Sequence, residues 1–298
     1  MFAYLIRHWR GELPLGVAWW LNGVGLTALS LALEMNLGAL GLGQGPDTRA
    51  GVALFVAAGV LLLLLVPAWQ VIGIFRAADR HAAEVGTPLA AYVTQGLATA
   101  LTILLALRFV MFAGESYSGL RLAFPITGWH YQVSVHGRLL EVSGSITFGL
   151  ADEVRAAIAA NPQLRRVRLN SGGGSLSEAQ KLRALIIEHD LDTDSSEGCS
   201  SACVSAYIGG HQRLLRSSAR IGLHLPRNPG FGLRGPLTPA YAAELRYFAS
   251  RGVPPWFLQR WITSGREFWY PTPLQLWQAG IVQAFFGPPR PGEALLFL

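Results

Sequence analysis

The chain has 298 residues, 51% hydrophobic and only 14% charged, which is too apolar for a single water-soluble domain, where charged residues make up about a quarter. Its formal net charge of +6 comes from scattered basic residues, which suits solubility and argues against a nucleic-acid-binding stripe. The seven histidines and two cysteines lack metal-ligand spacing, so neither a metal nor a cofactor is expected.

Before about Tyr117 the chain consists of long apolar runs, and beyond it charges appear at ordinary density. Three stretches reach the roughly 20 apolar residues that a helix needs to cross a bilayer: 13–33, 51–75 and 89–113. The second is uncharged throughout, and the third carries Arg108 near its end, where a long side chain can snorkel to the headgroups. The first is too long for a signal-peptide core and no small-residue cleavage site follows it. Arg7 and Arg10 precede the first stretch and Arg76 and Arg80 follow the second, against Arg49 alone in the intervening loop. Basic residues stay on the cytoplasmic side, so the N-terminus is expected there and everything after the third stretch outside, in the periplasm of a bacterial inner-membrane protein. The predicted layout is a membrane domain over 1–116, a Gly/Ser-containing connector over 117–130 and an outer domain over 131–298.

In the outer domain, 132–136 and 138–143 alternate as short strands around Gly137. Leu150, Val154 and Ile158 mark a helix over 150–160, and 165–169 reads as a strand. Ser175 with Glu178 three residues on is a capping-box pattern, opening a helix over 175–189. A short strand near 191–193, a helix over 201–208 and strands near 213–215 and 220–224 follow, and the remainder looks helical. Strands alternating with helices predict an α/β domain.

Two loops stand out. Leu169–Ser175 runs from a strand through three glycines to a helix start; glycines there let backbone N–H groups aim at a ligand oxygen, though a plain tight turn has the same composition. It is not a Walker loop, because Gly-Lys-Ser/Thr is missing and Lys181 lies too far on. Glu197-Gly198-Cys199-Ser200-Ser201-Ala202-Cys203 also precedes an apolar helix. A serine there is either a helix N-cap or a nucleophile served by neighbouring N–H groups. Cys199 and Cys203 bracket it; an oxidising compartment lets them pair, which would fix the turn that presents Ser201, while two small buried thiols are the alternative. His224 closes the alternating run 220–226.

In this order, Asn-Ser-Gly-Gly-Gly-Ser, then Ser-Ala before a helix, then a basic strand pair ending in His-Leu-Pro resembles the proteolytic subunit of Clp proteases within the Clp/crotonase superfamily, over about 138–282. The expected fold is three N-terminal transmembrane helices, read from the apolar stretches, followed by an α/β domain that the resemblance makes of Clp/crotonase type. The resemblance also implies a serine peptidase working through an acyl-enzyme. It implies Ser201 as nucleophile, His224 as base, and the N–H groups of Gly173 and Ala202 as oxyanion hole, with Gly174 in support. It departs from the family at the third catalytic position, where Phe268 stands in place of an aspartate. No aspartate occurs after Asp194, and Glu267 is the nearest carboxylate. A Ser–Lys mechanism is disfavoured because Lys181, the only lysine, lies inside the helix after the glycine loop. Expected partners are membrane lipid, a peptide or membrane-protein substrate and further copies of the chain, without nucleic acid. The rival reading is a ClpP-like interaction or assembly domain that has lost catalysis.

Overall fold

The computed structural model describes residues 2–39, 48–85, 88–124, 130–225, 239–265 and 267–288. The chain divides into two compact units, 1–46 with 50–118, and 47–49 with 119–298.

The first unit is helical. α1 (Phe2–Trp9) is followed by a π-wound stretch, Val17–Gly25, that leads into α2 (Leu26–Ala39). α3 (Arg49–Val60) continues through a π-wound Leu61–Leu65 into α4 (Val66–Val85), and α5 spans Pro88–Ala123. Two of these helical runs, Arg49–Glu84 and Pro88–Ala123, are long and apolar enough to cross a membrane, at 36 residues each. The stretch expected at 13–33 is not one of these two; the helical run there covers 17–39, of which Val17–Ala32 is an apolar part. It also carries polar Asn22. That residue joins a buried knot in which Asn22 Nδ2 lies 3.0 Å from His8 Nδ1 and Gln70 Nε2 donates to the Asn22 carbonyl at 2.6 Å. His8 Nε2 in turn lies 3.2 Å from the Gln70 carbonyl oxygen. Gly73 packs directly on the His8 ring, where a Cβ would collide with it.

The second unit is an α/β domain. A six-stranded sheet runs β1 (Tyr131–His136), β2 (Leu139–Gly144), β3 (Arg166–Asn170), β4 (Asp192–Ser195), β6 (Arg213–Arg216) and β8 (Ala284–Phe286). The β1–β2 pair is antiparallel and every other neighbouring pair is parallel. β5 (Cys199–Ser200) and β7 (Ile221–Gly222) form a separate parallel pair. Helices α6 (Leu150–Ala160), α7 (Leu176–Glu188), α8 (Ala202–Tyr207), α9 (Pro239–Ser250), α10 (Pro255–Ser264) and α11 (Pro273–Gln278) complete it. One core unites them. Leu140, Val167 and Leu169 of the central strands, Leu182 and Ile186 of α7, and Val204 and Tyr207 of α8 are all fully buried. Along β3 the buried Val167 and Leu169 alternate with partly exposed Arg166 and Arg168, the period-two pattern of a strand.

Several expectations shift. Much of the connector expected over 117–130 is helical, since α5 runs to Ala123, and 125–129 lie outside the described residues, as do Pro226 and Glu293. The remainder expected to be helical contains β8. The capping box at Ser175 is half made: Ser175 Oγ accepts from the Glu178 N–H at 3.3 Å, but the Glu178 carboxylate turns to the start of α6, accepting from the Gly149 and Ala151 N–H groups.

Candidate active site

Three loops meet beyond the strand ends. The Ser171 N–H donates to the Gly198 carbonyl at 3.0 Å, and the Ser200 N–H donates back to the Ser171 carbonyl at 2.9 Å. The Cys199 and Ser201 N–H groups donate to the carbonyls of Arg220 and Gly222 at 3.0 and 2.8 Å. The glycine loop, the Ser201 turn and β7 are thus laced side by side by backbone alone. Asn170 adds a side-chain tie: its Oδ1 accepts from the Ser196 and Glu197 N–H groups at 3.0 Å each, while Nδ2 donates to Glu141 at 3.1 Å.

Ser201 sits at the centre with φ 56° and ψ −128°, a left-handed conformation that costs a non-glycine residue about 1–3 kcal/mol. Its hydroxyl makes no helix cap. Instead Oγ lies 2.7 Å from His224 Nε2. Cys199, on β5, and Cys203, in α8, stand at disulfide distance on either side of Ser201, with Cα atoms 5.4 Å apart. Ser200 is not brought to the imidazole; it belongs to β5, with its Oγ beside Gly222.

His224 Nδ1 lies 2.9 Å from the Leu225 carbonyl oxygen. A carbonyl only accepts, so Nδ1 carries the proton, and in the neutral ring Nε2 is left to accept from the Ser201 hydroxyl. This is the tautomer a general base needs, fixed here without a carboxylate. The peptide group after His224 is itself held at both ends. Its carbonyl accepts from the Tyr241 hydroxyl at 3.1 Å and from Trp261 Nε1 at 3.2 Å, and the Leu225 N–H donates to the Gly265 carbonyl at 2.6 Å. Burial, helped by nearby Glu244, pushes the Tyr241 phenol well above its usual range, so it remains a donor at any physiological pH. Against His224 packs Phe268, whose ring centre is 4.4 Å from that of the imidazole. Glu267 is exposed and makes no hydrogen bond to His224.

Gly173 and Gly174 have φ of 107° and 144°. A Cβ on Gly173 would lie 2.7 Å from Ser201 Cβ and 3.1 Å from the Ala202 nitrogen, so Gly173 packs directly against the Ser201 turn. The Gly173 N–H donates to Ser171 Oγ at 3.1 Å. On Gly174, a Cβ would strike the Ile146 carbonyl. A cavity of about 80 Å³ adjoins Ser201 and His224, lined by Leu176, Phe248 and Trp261 with Ser205 and Glu244. Glu244 is buried but compensated, by Arg183 at 3.0 Å and by Gln180 at 2.6 Å, so the cavity offers an apolar wall and no unpaired charge. Among the described residues no three His, Cys, Asp or Glu side chains cluster as a metal site.

The fold and site together define an α/β protein with a strained serine hydrogen-bonded to a tautomer-fixed histidine. No protein-family profile matches the chain, and no curated protein matches it. Among solved structures, a ClpP1 mutant from Listeria monocytogenes is similar at 14% identity, with 51% of this chain and 92% of that one covered and a TM-score of 0.40. The ClpP protease catalytic domain from Plasmodium falciparum is similar at 17% identity, with 52% and 87% covered and a TM-score of 0.42. At these levels nothing passes from either structure to individual residues here.

Proposed function

We propose that this chain is a membrane-anchored serine hydrolase of the Clp type, a peptidase acting through an acyl-enzyme. The observation that carries the reading is the 2.7 Å contact of Ser201 Oγ with His224 Nε2, made from a backbone conformation that serine does not adopt without a reason. In the reaction, Nε2 takes the Ser201 proton as Oγ bonds to the substrate carbonyl carbon. The carbonyl oxygen then carries the negative charge, and the Gly173 and Ala202 N–H groups receive it. Nε2 returns the proton to the leaving amine, the C–N bond breaks, and water releases the acyl group by the same steps. For Gly173 to take part, its N–H leaves Ser171 Oγ.

The apolar helices support anchoring in a bacterial inner membrane. The arginine distribution and a cysteine pair at disulfide distance, which persists in oxidising compartments, support a periplasmic site with the N-terminus cytoplasmic. That reading takes the helical stretch beginning at Val17 as a third crossing; two crossings would leave both ends on one side, and accessibility of tags at the two ends decides between them. Self-association is part of the proposal by the same resemblance. A second reading is favoured by Phe268 in the place of an acid: a ClpP-like interaction domain without catalysis.

The test is labelling of the full chain in membranes with a fluorophosphonate, comparing wild type with Ser200→Ala, Ser201→Ala and His224→Ala. The hydrolase reading requires labelling that survives Ser200→Ala and disappears in the other two. A well-folded wild type that takes no label supports the interaction domain instead.

A further inference from the structure

Away from Ser201, the second unit contains a larger cavity of about 330 Å³, lined by Asp190, His211, Arg213, Ser250, Arg251 and Gln283 among others. Arg213, at the start of β6, is 6% exposed. Its guanidinium donates to three backbone carbonyls, those of Gly210, Gly280 and Ile281, at 2.9–3.2 Å. Arg251, just after α9, donates to the same Gly210 oxygen at 2.8 Å. Two guanidinium groups therefore converge on one neutral acceptor within a few ångströms of each other. Neither is paired with a carboxylate among the described residues, and Arg251 Nε is buried without a partner.

This is an unusual charge balance for a partly buried place. Buried cations are ordinarily paired, because desolvation without compensation is costly, and here like charges add repulsion. The strain shows in Arg213, whose pKa is lowered first by burial and then by Arg251. The other charged groups do not balance the pair: Asp190 lines the cavity without bonding either arginine, and His211 leans toward Asp192 at 3.8 Å. A group that brought negative charge and several acceptor oxygens would relieve the repulsion and find Ser250 and Gln283 beside it.

We propose that this cavity is a binding site for a small oxyanion, a carboxylate or phosphate group, gripped by Arg213 and Arg251. Guanidinium forks match both shapes, with paired N–H groups facing paired oxygens. The site stands apart from Ser201 and does not depend on its chemistry.

The test is calorimetric titration of the detergent-solubilised full chain with inorganic phosphate and, in a second series, with acetate, at constant ionic strength set by chloride. Saturable one-to-one binding of at least one anion is expected, and whichever binds tighter names the headgroup. Arg251→Gln weakens it at least tenfold, Arg251→Lys by less, and Arg216→Gln, at an exposed arginine outside the cavity, leaves it unchanged. If Arg251→Gln does not fold, Ser250→Asp replaces it, adding a negative charge at an exposed lining position to repel the anion. Neither anion binding beyond chloride, or Arg251→Gln binding like wild type, overturns the proposal.

Discussion

Replacing Phe268 by aspartate is expected to speed the reaction of Ser201, an uncommon result for a substitution beside the proposed Ser–His pair. In the wild type, among the described residues, the imidazolium that would form when Nε2 takes the serine proton is steadied at Nδ1 by the neutral Leu225 carbonyl, 2.9 Å away. A neutral hydrogen bond contributes about 0.5–1.5 kcal/mol and one to a charged partner about 1.5–3 kcal/mol. A carboxylate in the space of the Phe268 ring, whose centre is 4.4 Å from that of His224, therefore adds about 1–1.5 kcal/mol to the transition state. That corresponds to roughly a five- to twelvefold faster reaction. The loss is small, because Phe268 is already 46% exposed and its aromatic contact is worth about 1 kcal/mol. The assay is the second-order rate of fluorophosphonate labelling, with Phe268→Asn as the neutral control and Phe268→Glu as the longer acid. A gain in either acidic variant and none in Phe268→Asn supports the argument. Folded acidic variants that label no faster than Phe268→Asn refute the view that the missing charge limits this site.

Other perturbations follow from the same geometry. Ser171→Ala frees the Gly173 N–H from the hydroxyl that now holds it, and labelling is expected to rise two- to fivefold, about the value of one weak hydrogen bond; a fall in rate with the fold intact would count against Gly173 as an oxyanion donor. Tyr241→Phe removes one of two donors to the His224 carbonyl and is expected to slow labelling about two- to tenfold, while ¹⁵N-histidine NMR finds the Nδ1–H tautomer of His224 less populated. An unchanged tautomer and rate would make Tyr241 a packing residue only. Reducing Cys199–Cys203 opens a very short covalent loop, worth roughly 2 kcal/mol on loop entropy, and releases the turn at Ser201. The thermal midpoint and the labelling rate are both expected to drop, and a rate indifferent to reductant would mean that backbone pairing alone holds the turn.

What could be read from the sequence depended on how local the signal was. The glycine loop, Ser201 and His224 stand out through motif order, and the 2.7 Å contact between the last two joins residues that spacing alone would not bring together. The helix α6 followed from apolar periodicity, and α7 from the capping chemistry of Ser175. The partner of Nδ1 did not follow: sequence reasoning looks for an acidic side chain, and Glu267 was the nearest, whereas the structure uses a backbone carbonyl that every residue possesses. Tyr241 and Trp261 were equally silent, since an aromatic residue in a helix reads as core, and only the fold turns their polar tips to the His224 carbonyl. β8 went unrecognised because three residues carry no readable alternation.

The central claim is that Ser201 is an activated nucleophile, and the most direct measurement is the site of the adduct. The full chain is treated with a fluorophosphonate, digested, and the modified residue located by tandem mass spectrometry. The account predicts a single adduct on Ser201, absent from His224→Ala protein. An adduct on Ser200, or an unmodified Ser201 in folded protein, would contradict it.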